Sequence, residues 1–156
     1  MSNALAKEEV LVEAVRAILV ADNADTGVTV REINFYCADR IYMSDKNADK
    51  AFPQIFMQTD TGQDQLNLPS GDYFFETTCC VKMDDTNPQQ TLYRMDSRVL
   101  ALINKKPNTL NLAVPSKNLR CRLIVKTTSL KFTDPLAQLY MKTTRFRVIL
   151  DDETLD

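Results

Sequence analysis

Hydrophobic positions along this chain recur with two periods, and each change of period marks a new element. Leu11, Ala14, Val15 and Ile18 fall on one helical face with Val12 and Leu19 beside them, while Lys7, Glu8, Glu9, Glu13 and Arg16 fall opposite. The spacing predicts an amphipathic helix over Ala4–Ala21, with early glutamates suited to the positive end of its dipole and Asp22–Gly27 ending it. Val28, Val30 and Glu32, then Ile33, Phe35 and Cys37, predict a strand over Thr29–Cys37 with a change of face, followed by a polar loop at Ser44–Lys50. Phe52–Thr59 reads as a second strand, its start placed by Pro53 at an edge or at the first ladder position. Asp60–Asp72, with Gly62, Pro69 and Gly71 among polar residues, reads as a loop of about a dozen residues, long for a compact domain.

Tyr73–Met83 alternates cleanly, with Tyr73, Phe75, Thr77, Cys79 and Val81 on one parity. A second helix starts at Thr86-Asn87-Pro88-Gln89-Gln90: Asn87 can cap it, Pro88 takes the first helical position, and Gln90 can reach back as a capping-box partner. Leu92, Met95, Val99 and Ile103 form its buried stripe, with Arg94, Asp96 and Arg98 expected to point away, until Pro107 stops it just past Lys105. Asn108–Asn118 leads into the longest patterned run, a hairpin of Leu119–Phe132 and Gln138–Leu150 around the turn Thr133–Leu136. In its first arm Leu119, Cys121, Leu123 and Val125 alternate with Arg120, Arg122, Ile124 and Lys126. The second arm alternates less cleanly, and a bulge near Thr143–Thr144 would account for that.

These elements predict one α+β domain over residues 1–156, a mostly antiparallel sheet of four to five strands packed against two helices and closing with a long β-hairpin. With 44% hydrophobic residues the chain can bury roughly 70% of its unfolded surface. No apolar run nears the ~20 residues of a membrane span, and the N-terminus lacks the cationic-then-apolar order of a signal peptide, so the expected setting is cytosolic and without a membrane.

Chemistry narrows the picture by subtraction. There is no histidine, which removes Ser-His and Cys-His nucleophiles and the usual general base near neutral pH. Cys37, Cys79, Cys80 and Cys121 form no Cys-x-x-Cys, and adjacent Cys79 and Cys80 would point to opposite faces of a strand, so they read as small buried thiols and not as a zinc site. Three glycines, at 27, 62 and 71, lie too far apart for a phosphate loop. The acidic pairs Asp84–Asp85 and Asp151–Asp152 read as solvated ends of elements, and Asp60, Asp64 and Asp72 do not match a calcium loop. No enzyme, cofactor or metal is expected.

Charge is informative once divided. Residues 1–104 carry nine Lys+Arg against sixteen Asp+Glu, a balance of −7, while residues 105–156 carry ten against five, a balance of +5. A basic end on an acidic body suits a nucleic-acid surface, or a head-to-tail contact between copies. The candidate interface cations are Arg120, Arg122, Lys126, Lys142, Arg145 and Arg147. A solvated sheet face and a protein contact account for them about equally well. Nucleic acid is the lesser reading, because Phe132, Tyr140 and Phe146 could stack on bases but the net charge is −2 and no RNA-module signature is present.

The order of elements carries a resemblance. From the N-terminal helix, through the strand beginning Phe52-Pro53-Gln54-Ile55-Phe56-Met57, Tyr73–Met83 and the capped helix Asn87–Lys105, to the closing hairpin, the chain resembles the tail terminator (tail completion) proteins of long-tailed bacteriophages. The likeness spans nearly the whole chain and rests on order, length and pattern, since that family has no catalytic or ligand signature. It implies a virion protein of the tail neck, assembled in the host cytoplasm, that closes into a six-membered ring with itself on the tail tube. Such a ring halts polymerisation of the tail tube protein and presents a docking surface to the head connector or stopper. Within that reading Arg145 and Arg147 are the preferred anchors. A head-side neck adaptor or stopper differs only in its partner, and a nucleic-acid-binding module using the basic hairpin is the alternative of a different class, with affinity falling steeply in salt.

Overall fold

The alternation of Tyr73, Phe75, Thr77, Cys79 and Val81 builds the middle strand of a five-stranded sheet. The computed structural model describes residues 7–23, 29–43, 51–59, 70–111 and 119–152. Its elements are α1 (Lys7–Val20), α2 (Ile33–Cys37), β1 (Ile41–Tyr42), β2 (Gln54–Thr59), β3 (Ser70–Lys82), α3 (Pro88–Ile103), α4 (Pro107–Leu110), β4 (Leu119–Asp134) and β5 (Leu139–Asp152). The sheet order is β1-β2-β3-β5-β4, with β1 parallel to β2 and every other neighbour antiparallel. This is the expected α+β arrangement, with a closing hairpin whose register runs from Leu119 opposite Asp152 to Asp134 opposite Leu139.

Helices α1, α2 and α3 pack on one face of the sheet, where Leu11, Val15 and Leu19 meet Tyr73, Phe75, Cys79, Val81, Phe146 and Val148 in a buried core. Phe75 and Phe146 are fully buried neighbours on β3 and β5 with ring centroids 5.1 Å apart, a stacked pair contributing about 0.5–1.5 kcal/mol beyond its burial. A smaller cluster of Phe56, Cys80, Leu139 and Met141 occupies the other face, with Tyr42 and Phe52 against it.

Several expectations need correction. Thr29–Cys37 is not a strand: Ile33–Cys37 forms α2, burying Ile33, Tyr36 and Cys37 at helical spacing. Its first turn is set from outside, because the Ile33 N–H donates to the Asp22 carboxylate at 2.8 Å and the Asn34 N–H to the Asp22 carbonyl at 3.0 Å. Strand β3 begins at Ser70, so Ser70–Asp72 belong to the sheet and not to the expected loop, whose remaining residues 60–69 lie outside the described residues. The loop expected at Ser44–Lys50 and the helix start near Ala4 also lie outside them.

The N-terminus of α3 has Pro88 in its first turn as expected, but Asn87 is in the left-handed region (φ 51°, ψ 56°) and makes no side-chain cap. Asparagine tolerates that conformation, and the turn is held instead by Asp85, whose Oδ1 accepts the Thr86 N–H at 2.8 Å. Register shifts lie in the first hairpin arm, at Cys121/Leu123 and Lys126/Thr128, not near Thr143–Thr144. The end of α3 explains their position: Asn104 Oδ1 accepts the Lys126 N–H at 2.8 Å, and the Lys105 N–H donates to the Ile124 carbonyl at 2.9 Å. Between the shifts Ile124, rather than Leu123 or Val125, faces the helices and is fully buried.

Candidate interaction surface

Strand β5 alternates without a break, so its side chains divide into two sets. Lys142, Thr144, Phe146, Val148 and Leu150 face the helices, while Met141, Thr143, Arg145, Arg147 and Ile149 face the side of the sheet that no helix covers among the described residues. The six candidate cations are therefore divided too. Lys142 turns inward: its Nζ lies 2.9 Å from Asp96 Oδ2 on α3, and the Thr144 hydroxyl donates to Asp96 Oδ1 at 2.7 Å. Asp96 is 1% exposed, which corrects the expectation that it points to solvent. It stands four residues from Leu92, on the buried stripe, where β5 supplies both a cation and a hydroxyl to meet its carboxylate oxygens.

On the uncovered face Arg147 forks onto Asp72 of β3, with Nε 3.1 Å from both carboxylate oxygens and Nη2 2.8 Å from Oδ2. That pairing raises the Arg147 pKa, through the hydrogen bond first and the charge of Asp72 second. Arg145 lies over the Phe74 ring at 4.4 Å. On β4, Arg122 Nε is 3.1 Å from Asp151 Oδ2, and Arg120 and Lys126 are exposed. The hairpin is thus a strip of ion pairs along a sheet edge, not one convergent basic patch.

The apolar part of this surface concentrates toward the turn. Leu130 is 65% exposed, Phe132 39% and Leu136 98%. Lys131 fixes this end of β4 to α3, its Nζ donating to Gln89 Oε1 at 2.6 Å and to the Tyr93 hydroxyl at 3.0 Å. The Tyr93 ring sits between two ammonium groups, 5.1 Å from Lys131 and 5.3 Å from Lys142. Of the three candidate stacking rings, Phe146 is fully buried and Tyr140 packs against the core, so only Phe132 presents a face to a base.

No family profile matches the chain, and no curated protein matches it in sequence. Its fold is shared. A chain of the "Virion of native gene transfer agent (GTA) particle" superposes with a TM-score of 0.69 over 95% of this chain and 99% of that one, at 13% identity. At that identity the likeness is one of fold, and it extends over both chains almost entirely.

Among the described residues no group of three or more His, Cys, Asp or Glu side chains is arranged to hold a metal ion, and no helix is long and apolar enough to cross a membrane. All four cysteines are free and buried, Cys37 on α2, Cys79 and Cys80 on β3 and Cys121 on β4. Burial pushes the Cys37 and Cys121 thiols up to about 12 and the Cys79 thiol well above its ordinary 9.0. The expected outcome is slow modification of the native protein by a thiol reagent at neutral pH, with all four thiols reacting promptly once urea unfolds the chain. A thiol that reacts at the unfolded rate in native buffer contradicts this burial.

Proposed function

We propose that this protein is a virion structural subunit that acts as a tail terminator, closing into a six-membered ring on the tail tube, ending its growth and presenting a surface to the head connector or stopper. The observation that carries the reading is the fold shared, over nearly the full length of both chains, with a chain of a gene transfer agent virion. The order of elements on which the resemblance to tail terminators rests agrees with it. Such a subunit works by shape and interface energy, needs no cofactor, and is localised to the tail neck after assembly in the host cytoplasm.

The edge of the sheet supports a head-to-tail contact. Among the described residues no strand pairs with the outer side of the 16-residue β4. Two such edges brought together antiparallel would line Arg120, Arg122, Lys126 and Lys131 of both copies along one seam, a repulsion that deters isologous edge pairing. A heterologous contact avoids it, and closes as a ring when its rotation divides a full turn. In this reading Arg145 and Arg147, already oriented by Phe74 and Asp72, are rim anchors, with Arg120, Arg122 and Lys126 along the same hairpin, while Lys142, turned inward to Asp96, takes no part.

Light scattering and negative-stain microscopy of the protein, alone and with tail tubes, are expected to show rings seated at tube ends. The variant Arg145→Gln/Arg147→Gln, which avoids setting new carboxylates beside Asp72 and Glu76, is expected to fold normally and to weaken ring formation about tenfold. A wild-type protein that neither forms rings nor binds tube ends sinks the terminator reading.

A further inference from the structure

The exposed hairpin turn and a separate pocket at the same end of the sheet complement each other. The pocket, about 470 Å³, opens between α2, the start of β2 and the outer flank of α3, and its walls include Arg31, Phe35, Tyr36, Pro53, Asp85 and Arg94. Phe35 is 58% exposed, an unusual state for an aromatic side chain, and the Arg31 guanidinium lies over its ring at 4.3 Å. Aromatic rings with arginine are the composition of interface anchor sites. Glu32 pairs with Arg31 at 3.2 Å and Asp85 stands on the rim, so the cation presented to an incoming group is Arg94, for which no ion pair exists among the described residues.

The turn after β4 offers the matching chemistry. Leu136, 98% exposed, is the most exposed large hydrophobic side chain described, and Asp134, the one acid between Lys105 and Leu150, stands two residues before it. The Asp134 carboxylate is oriented by the Ala137 N–H, 3.1 Å from Oδ1. Pro135 between them limits the freedom lost when the turn is held by a partner.

The turn does not belong to the pocket of its own chain. Gln89 and Tyr93, which bind Lys131 at the base of the turn, lie on one flank of α3; Thr91 and Arg94, which line the pocket, lie on the other at 100° per residue. In the sheet, β3 lies between β2 and β5, so the turn stands about 10 Å or more to the side of the pocket at two to three strand spacings, and Leu136, 98% exposed, is not seated in the pocket of its own chain. One subunit therefore carries a plug near one edge and a socket near the other. That is the condition for a heterologous contact repeated from copy to copy.

We propose that the turn Asp134–Leu136 of one copy seats in the Arg31–Phe35–Arg94 pocket of the next, Leu136 against Phe35, Tyr36 and Pro53, and the Asp134 carboxylate on the Arg94 guanidinium. The proposal deepens the ring reading and rests on it.

Disulfide trapping tests it, because the four native thiols are buried and an engineered pair reacts alone. Protein carrying Phe35→Cys is mixed with protein carrying Leu136→Cys under mild oxidation, with and without tail tubes; the expected product is a covalent dimer in the mixture that neither variant forms alone. The double variant is expected to give a ladder of covalent multimers. As a second measurement, Arg94→Glu lowers the self-association constant about tenfold or more, and Asp134→Asn, which keeps the turn hydrogen bond, lowers it less. Wild-type rings without a Phe35→Cys/Leu136→Cys crosslink overturn this contact and leave the ring reading standing. Crosslinked open chains without rings support the contact and overturn the ring. A protein monomeric under every condition overturns both.

Discussion

Asp22→Ala is expected to destabilise the protein by about 3–5 kcal/mol, read as a fall in the urea midpoint at unchanged slope. Stabilities of single domains are only about 5–15 kcal/mol, so this is a large share of the total. The carboxylate takes the Arg98 guanidinium in two hydrogen bonds of 2.7 and 2.8 Å and the Ile33 N–H at 2.8 Å. It thereby joins the end of α1, the start of α2 and the middle of α3 at a point where its own side chain is 4% exposed. Truncation leaves the Arg98 charge partly buried without its partner and the first turn of α2 without its acceptor. Asp22→Asn, which keeps an acceptor for Ile33, is expected to cost less.

Acid separates the charge from the shape. Burial alone would raise the Asp22 pKa, but the hydrogen bonds from Arg98 and Ile33 and the Arg98 charge outweigh it and hold the carboxyl below its ordinary 3.8. A folded value below the unfolded one means that the pair's contribution is complete above pH 3.8 and disappears as pH falls through the folded value. The stability gap between wild type and Asp22→Asn should therefore be constant near neutrality and close below pH 3.8. A gap that persists unchanged into that acid range shows that shape, not charge, carries the effect.

Local pattern announced the elements that local pattern determines. The hairpin, β3 and the two long helices follow from period and from Pro88, and the structure places them within a few residues of the expected bounds. The elements that local pattern misplaces are fixed by partners distant in sequence. Ile33, Phe35 and Cys37 alternate like a strand, yet Ile33, Tyr36 and Cys37 also fit a helix, and Asp22 decides between them through two backbone N–H groups. The uneven alternation of β5 points to an irregularity there, whereas it sits in β4, where Asn104 and Lys105 draw the backbone toward α3. The cations were legible as a set but not as two faces, because their partners Asp72 and Asp96 lie on other elements. The pocket at Phe35 had no signal in the sequence: its walls come from three separate segments.

The second large effect concerns Asp96 and Lys142, where removing either partner alone should be far worse than removing both. Asp96 lies deeper, its side chain 2% exposed against 20% for Lys142. Lys142→Met strands a carboxylate with only the Thr144 hydroxyl for company and is expected to cost about 3–5 kcal/mol. Asp96→Leu leaves an ammonium on a flexible stem that can swing toward water beside Tyr93, so its cost falls at or below the low end of that range. The double replacement Asp96→Leu/Lys142→Met puts apolar side chains between α3 and β5 and should return to within about 1–2 kcal/mol of wild type, a coupling visible in a double-mutant cycle. If Lys142→Met proves the milder single change, the pair behaves as a surface bridge, and the hairpin is held to α3 chiefly by Lys131 with Gln89 and Tyr93 and by the bonds at Asn104 and Lys105. If the cycle closes as expected, the doubly apolar variant still presents Asp134–Leu136 in place, and its assembly should match wild type, because the buried pair orients the arm and lies outside the proposed contact.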